Sequence, residues 1–590
     1  MKAFLLALLG AFLALPATSQ AAAARADDEL RARQAEVVRT IGVVRHFHPH
    51  DAVVEVDWNG VLLEAFLLAE REQSSPGFAD ELFALLDQVA PGLKRTPGGE
   101  ARPELTDIHC GDDEPRIRWL HRGFGAAPLA ESSPIYSSLR TGRDGPDGVI
   151  DLADVEQQLG SSPPLEWTMT LDDGSKLSLP LVLCDRQARL DEDGMERLAE
   201  RWPAPNLDGL SPAELARLDV AALWPVLRHF YPYQELIEDW PAALDQALAE
   251  VDAVTGRTEH GRLLQRMLFH LQDGHVNVFD LRSDRSGRAW LPIALEAIEG
   301  QLYIAESNAD GDARPGDRVA VIDDEPAADW LARELAHHSG SPDWRAHRAI
   351  RDLLLGQRGE SVKLMLARGE HRFEVELTFE ADQQMQAYSH PPVNEPVEGI
   401  IHVNLDRIEQ AILYEIMPRL VVARGVIFDL RGYPSGINPG LLTRLMNEPG
   451  HWEGWMQVLA ARAPDGDLKV AGRHQWGLVP SRPQIRAPVV FLTNHRAISY
   501  AESLLGLVRY HHLGTIVGSH TAGSNGNILP LTLPGGFRVI YTGMRVIGPD
   551  GSPFQGQGIA PDVYARPTVQ GLKEGRDEVL ERALELLADN

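Results

Sequence analysis

Three short segments hold residue types able to carry out acyl transfer. Ser499 opens the run Ser499-Tyr500-Ala501-Glu502, just after the apolar stretch Val490 to Thr493. A serine at a helix start meets free backbone N–H groups and the positive end of the helix dipole, which stabilise negative charge. That suits a hydroxyl whose attack on a carbonyl creates an oxyanion, and it equally suits an ordinary N-cap serine. His275 ends Leu271-Gln272-Asp273-Gly274-His275, where an imidazole can act as a base near neutral pH or simply be a hydrogen-bonded loop residue. The turn Gly432-Tyr433-Pro434-Ser435-Gly436 follows Phe428-Asp429-Leu430-Arg431, and its small residues let a substrate approach backbone N–H groups. Glu502, one helical turn after Ser499, shares its face. It reads as a group that positions the site or as a surface charge, and Thr521 as a support for the same loop or a plain turn residue.

The pattern of elements around these segments is mixed. From about Gly399 short apolar runs suited to buried strands (400–405, 425–430, 489–493) alternate with helical pattern, notably 499–511, which indicates an α/β core. Residues 290–380 read as a small β-rich domain with a helix at 343–355, and Arg314-Pro315-Gly316-Asp317-Arg318-Val319 resembles the turn of PDZ domains, which bind extended peptides at a sheet edge. Helical pattern spans 213–271, and 96–200 reads as a further β-rich module. An internal repeat links the N-terminal part to this scheme. Arg45-His46-Phe47 matches Arg228-His229-Phe230, Pro49 matches Pro232, and Asp57-Trp58 matches Asp239-Trp240. The repeat also reinterprets His46-Phe47-His48-Pro49-His50, which looks like a metal cluster. Two of its histidines become Tyr231 and Tyr233 in the second copy, an exchange that suits aromatic packing better than ligation.

Composition narrows the choice. The chain has 590 residues and a formal charge of −29, which argues against a nucleic-acid partner, because phosphate binding needs a basic face. Only six lysines occur, at 2, 94, 176, 363, 469 and 573, which leaves few places for a catalytic lysine. Lys2, the apolar run 3–15 and the small-residue stretch to Ala24 read as an export signal, so the protein is expected to be periplasmic or secreted. No later segment reaches about 18 consecutive apolar residues, so no stable membrane span is expected. Cys110 and Cys184 fit either a structural disulfide or two buried thiols. Nothing calls for a metal or a cofactor, and the oligomeric state stays open.

Taken together, the motifs resemble the C-terminal processing peptidases and the related tricorn-core serine peptidases. The similarity runs in order through the Asp273-Gly274-His275 segment, the Asp429-Leu430-Arg431-Gly432 turn, Ser499-Tyr500-Ala501-Glu502, Thr521-Ala522-Gly523 and Gly558-Ile559-Ala560-Pro561-Asp562. It covers about residues 215–575. The resemblance implies an α/β fold with a crotonase-like ββα catalytic core at 396–590, an inserted PDZ-like domain at 288–382 and a helical part at 212–285. Ahead of these it leaves a signal peptide at 1–24, a helical unit at 25–95 that is a worn copy of 215–275, and the β-rich module at 96–200. It implies an exported serine endopeptidase acting on peptides or unfolded C-terminal segments, with Ser499 as nucleophile, His275 as base and Glu502 in support. Gly436, Ser435, Tyr500, Thr521 and Gly523 would form the oxyanion and substrate-binding surface. The processing peptidases place a lysine where this chain has Ser524, and no lysine lies between Ser499 and Lys573, so the base falls to His275, as in the tricorn-like branch. That branch completes its relay with a Ser before the His and a distant Glu. Here those places read Gly274 and approximately Gln555, which leaves the group that orients His275 open. Two rival readings are a non-catalytic peptide or ligand carrier on the same fold and crotonase-type thioester chemistry.

Overall fold

The computed structural model describes residues 17–71, 75–99, 108–131, 133–142, 159–160, 164–237, 239–309, 312–388, 390–452, 455–466, 468–548 and 550–588. The expected export signal falls mostly outside them, and its last residues open the helix Ala17–Phe47. No helix among the described residues is long and apolar enough to cross a membrane.

The C-terminal third is built on a six-stranded sheet. Its order is Val393–Val397, Ile400–Asn404, Gly425–Asp429, Val489–Thr493, Thr515–Gly518, Val563–Tyr564. The first pair is antiparallel and the rest are parallel. The two central strands, Gly-Val-Ile-Phe-Asp and Val-Val-Phe-Leu-Thr, are buried along their whole length, as continuous apolar runs in a covered parallel sheet should be. The helices Gln410–Val422 and Tyr500–Tyr510 pack on one face and Glu578–Ala588 on the other. In such sheets the loops after the strand C-termini hold the ligand site, and the segments beginning at Leu430 and Asn494 are two of those loops.

Residues 288–382 have their own core. Five antiparallel strands run in the order His371–Thr378, Ser361–Arg368, Arg318–Ile322, Gln301–Ser307, Ile293–Ile298, which leaves Ile293–Ile298 at an edge. The helix Pro342–Leu353 lies against that edge strand.

The internal repeat folds back on itself about a local two-fold relation. Gly42 and Pro225 are equivalent positions and face one another, a Cβ built on Gly42 falling 2.4 Å from the Pro225 Cβ. Phe47 stacks on its equivalent Phe230 at 5.6 Å, and the reciprocal pairs His46–Phe230 and Phe47–His229 lie at 5.8 and 5.2 Å. Self-complementary contacts of this kind define an isologous interface, here within one chain. His48 and His50 bond the Pro91 carbonyl and the Ala52 N–H. The second copy uses its tyrosines differently: Tyr231 donates to the Leu271 carbonyl and Tyr233 accepts from the Val546 N–H.

The region 96–200 is not self-contained. Its strands Arg116–Arg122 and Ser137–Thr141 extend a sheet begun by Lys469–His474 and Met456–Ala461. Cys110 and Cys184 are joined by a disulfide. A last, three-stranded antiparallel sheet matters most for the site. Asn277–Asp280 pairs with Phe537–Thr542, Ile540 lying opposite Asn277. Continuing that register by two residues brings Thr542 opposite His275.

Candidate active site

Ser499 stands between the strand Val489–Thr493 and the helix Tyr500–Tyr510 with φ 57° and ψ −110°. An N-cap serine normally has extended backbone with negative φ, and a non-glycine residue held at positive φ costs about 1–3 kcal/mol. The surroundings impose this conformation. The Ser499 N–H donates to the Ser524 carbonyl at 3.0 Å and to Glu502 Oε2 at 3.0 Å.

The turn 432–436 lies beside it. The Tyr500 hydroxyl donates to the Ile437 carbonyl at 2.8 Å, which ties the start of the helix to the end of the turn. Among the described residues no backbone acceptor takes the N–H of Gly436 or of Tyr500, so both remain available as donors. A Cβ on Gly436 would fall 2.7 Å from the Ile408 carbonyl oxygen, so only glycine fits there. Ser435 differs from its expected role, because its N–H already bonds the Tyr433 carbonyl at 2.8 Å. Beneath the turn, the buried Arg431 bonds Asp429 and Asp577 with its guanidinium at 2.7–2.8 Å. His402 and His390 approach the same two carboxylates, and Arg431 beside them holds both carboxyls well below the usual range.

Glu502 is fully buried. Its carboxylate accepts four bonds, from the Ser499 N–H, the Thr521 hydroxyl at 2.6 Å, the Gly523 N–H at 2.7 Å and the Ser524 N–H at 3.1 Å. Burial raises the carboxyl to about 8 even with these four donors opposing the shift. Four donors with no acceptor for an acid proton favour the ionised form. Thr521 and Gly523 thus brace the loop against Glu502, the Thr521 hydroxyl and the Gly523 N–H both being taken up by its carboxylate.

His275 is reached through Ser524. The Ser524 hydroxyl accepts the Gly274 N–H at 2.6 Å, and a Cβ on Gly274 would fall 2.9 Å from that oxygen and 3.0 Å from Trp344 Nε1. His275 Nδ1 lies 2.8 Å from the Thr542 hydroxyl. Among the described residues its buried Nε2 has no partner, and no hydrogen bond joins it to Ser499. Burial pulls the imidazole below its ordinary value, while the nearby Asp273 charge opposes the shift. Asp273, fully buried, accepts from the His275 N–H (3.0 Å), the Thr542 N–H (2.7 Å), the Thr542 hydroxyl (2.8 Å) and Gln555 Nε2 (3.1 Å). Gln555 Nε2 also reaches the Ser524 hydroxyl at 3.1 Å.

Sequence reasoning did not single out Ser524, Thr542, Asp577 or His402 as parts of this assembly. The strand pattern around Phe537 to Thr542 was the one available signal for Thr542, and it carries no information on which strand it pairs with.

Residues 403–565 match the model of peptidase family S41. The structure of mature CPAF complexed with lactacystin aligns over 64% of this chain and 99% of its own, with 15% identity and a TM-score of 0.50. A CPAF mutant aligns over 64% of this chain and 96% of its own, with 14% identity and a TM-score of 0.52. At these identities the likeness is one of fold. No curated protein matches the chain.

Proposed function

We propose that this chain, whose residues 403–565 match the model of peptidase family S41, is an exported serine endopeptidase working by a Ser499–His275 acyl-enzyme mechanism. The observation that carries this reading is the backbone of Ser499, held at φ 57° at a helix start, where a serine serving only as a cap would adopt extended geometry. Strain of that kind presents a hydroxyl outward from a strand-to-helix turn.

The chemistry runs as follows. His275 Nε2, buried and without a partner among the described residues, takes the proton from Ser499 Oγ as that oxygen attacks the peptide carbonyl. The N–H groups of Gly436 and Tyr500 receive the oxyanion, each such donor contributing about 2.7–4 kcal/mol in measured cases. The imidazolium then protonates the leaving amine, and water releases the acyl group by the reverse route. Burial lowers the imidazole below its ordinary value, so the ring is uncharged and free to take a proton at pH 7. The hydrogen bond between Ser499 and His275 forms on substrate binding, as catalytic contacts often tighten only in the complex.

The substrate is a peptide or an unfolded C-terminal segment, its tail lying along Ile293–Ile298 as an added strand. A cavity of about 590 Å³ supports this reading. It is lined by that edge strand, by Asp343 and His347 of the neighbouring helix and by Asn494 and Arg496 of the loop leading to Ser499. Export is supported by the Cys110–Cys184 disulfide, since such bonds persist in oxidising compartments. Labelling of the folded wild type by a fluorophosphonate, lost in Ser499→Ala, tests the mechanism. Absence of labelling in the intact wild type would favour a non-catalytic peptide carrier.

A further inference from the structure

We propose that Asp273 and Thr542 are the positioning residues of His275, and that they fix its proton on Nδ1 so that Nε2 is the free base. This rests on the Ser499–His275 reading and supplies the orienting arm that it lacks.

Asp273 receives four hydrogen bonds from N–H and O–H groups, an environment that favours the carboxylate. A carboxylate only accepts. At the 2.8 Å contact between Thr542 Oγ1 and Asp273 Oδ1 the hydroxyl is therefore the donor. Thr542 has one hydroxyl proton, so at its other contact, 2.8 Å from His275 Nδ1, its oxygen accepts. The imidazole must then carry its proton on Nδ1, and Nε2, which has no partner, keeps its lone pair. The ring cannot invert this arrangement without placing an unprotonated nitrogen against an oxygen that has no hydrogen left to give.

The carboxylate also serves the charged state. Asp273 Oδ1 lies 3.9 Å from His275 Nδ1, too far for a direct bond but close enough to stabilise the imidazolium formed when Ser499 is deprotonated. No net charge is created in that step: the Ser499 proton moves to Nε2, the Oγ–carbonyl bond forms, and the carbonyl electron pair becomes the oxyanion. Gln555 completes the arrangement. Its amide nitrogen faces Asp273 and Ser524, as a neutral donor must beside a buried carboxylate. The antiparallel register between 277–280 and 537–540 sets Thr542 opposite His275, so the relay is built into the sheet.

The test uses the full chain labelled with 15N-histidine, with the His275 signals identified by their loss in His275→Gln. At a pH where the ring is neutral, the expected result is a proton on Nδ1 in the wild type and in Thr542→Ser, and a loss of that single tautomer in Thr542→Val. Fluorophosphonate labelling of Ser499 should slow at least about tenfold in Thr542→Val and recover in Thr542→Ser. A wild-type His275 protonated on Nε2, or a tautomer unchanged in Thr542→Val, overturns the proposal whether or not the enzyme is active. A wild type with the proton on Nδ1 whose Ser499 fails to label would instead refute the peptidase mechanism and leave this arrangement standing.

Discussion

The Ser524 hydroxyl accepts the Gly274 N–H at 2.6 Å, while the Ser524 carbonyl accepts the Ser499 N–H at 3.0 Å. One residue thus spans Ser499 and the segment carrying His275, at the place where the resembling processing peptidases carry a lysine. Gly274 is buried, Ser499 is half-buried, and Ser524 itself is fully buried.

Ser524→Ala should therefore loosen the site without unfolding the chain. It leaves the Gly274 N–H without its acceptor, a cost of about 1–3 kcal/mol. If most of that falls on the alignment of His275, kcat/KM drops by about tenfold or somewhat more. Peptide-hydrolysis kinetics and chemical denaturation on the same variant separate the two effects. Unchanged kinetics would show that Ser524 does not couple the segments.

Glu502→Gln should be more damaging than its small change in shape suggests. The four groups facing the carboxylate are all donors. An amide turns two hydrogens towards at least one of them, so a bond is replaced by a donor–donor contact at a cost of about 3 kcal/mol. The variant should unfold at lower urea concentration and label slowly at Ser499. A variant as stable as the wild type at pH 7 would mean that Glu502 is protonated in the folded state.

These contacts also show why part of the site was readable in the sequence. The segments with local signatures were legible: the apolar runs at 425–430 and 489–493 fall on the strands Gly425–Asp429 and Val489–Thr493, and the helical pattern from 499 on Tyr500–Tyr510. The exchange of two histidines for Tyr231 and Tyr233 between the copies likewise suits aromatic packing, and those two rings meet edge-on at 5.9 Å. What could not be read was long-range register. Thr542 meets His275 across a strand pair whose partners lie over 250 residues apart, and Asp577 meets Arg431 across 146 residues. Neither has a local pattern, because sheet pairing is decided by packing of the whole domain. The spacing of Glu502 from Ser499 placed it on the right face but carried no information on burial, which is what turns it from a surface charge into a brace.

The repeat interface should make the protein acid-labile. His48 and His121 are pulled down to about 3 and His229 to about 4 by burial, and His46 is lowered well below its ordinary value by the same cause. The unfolded chain binds protons at these histidines below about pH 6.5 while the folded chain does not. Stability is therefore complete above pH 6.5 and falls as pH drops from there to about 3–4. At pH 5 each such histidine costs about 2 kcal/mol. Urea midpoints measured from pH 7.5 to pH 5 should decline steeply, and His121→Gln should flatten the slope. A level profile over that range would contradict neutral burial of the cluster.

Gln555→Glu tests the electrostatics of the His275 arm from the opposite side. The amide nitrogen of Gln555 donates to Asp273 Oδ1 at 3.1 Å, so a glutamate there sets two carboxylates within hydrogen-bond distance in a site closed to water. Like charges so close cannot both ionise, and one carboxyl must rise sharply in pKa and share a proton with the other. If the proton settles between 273 and 555, Asp273 no longer accepts cleanly from Thr542, and the tautomer of His275 is no longer fixed. The sign of the stability effect follows. The variant's folded state holds a proton that the unfolded state releases above about pH 4.3, so its deficit against the wild type should grow as pH rises from 5 to 8. Ser499 labelling should fall in the same range. Denaturation midpoints and labelling rates for the two proteins across pH 5–8 decide the matter. Parallel curves would show that residue 555 does not touch the charge beside His275.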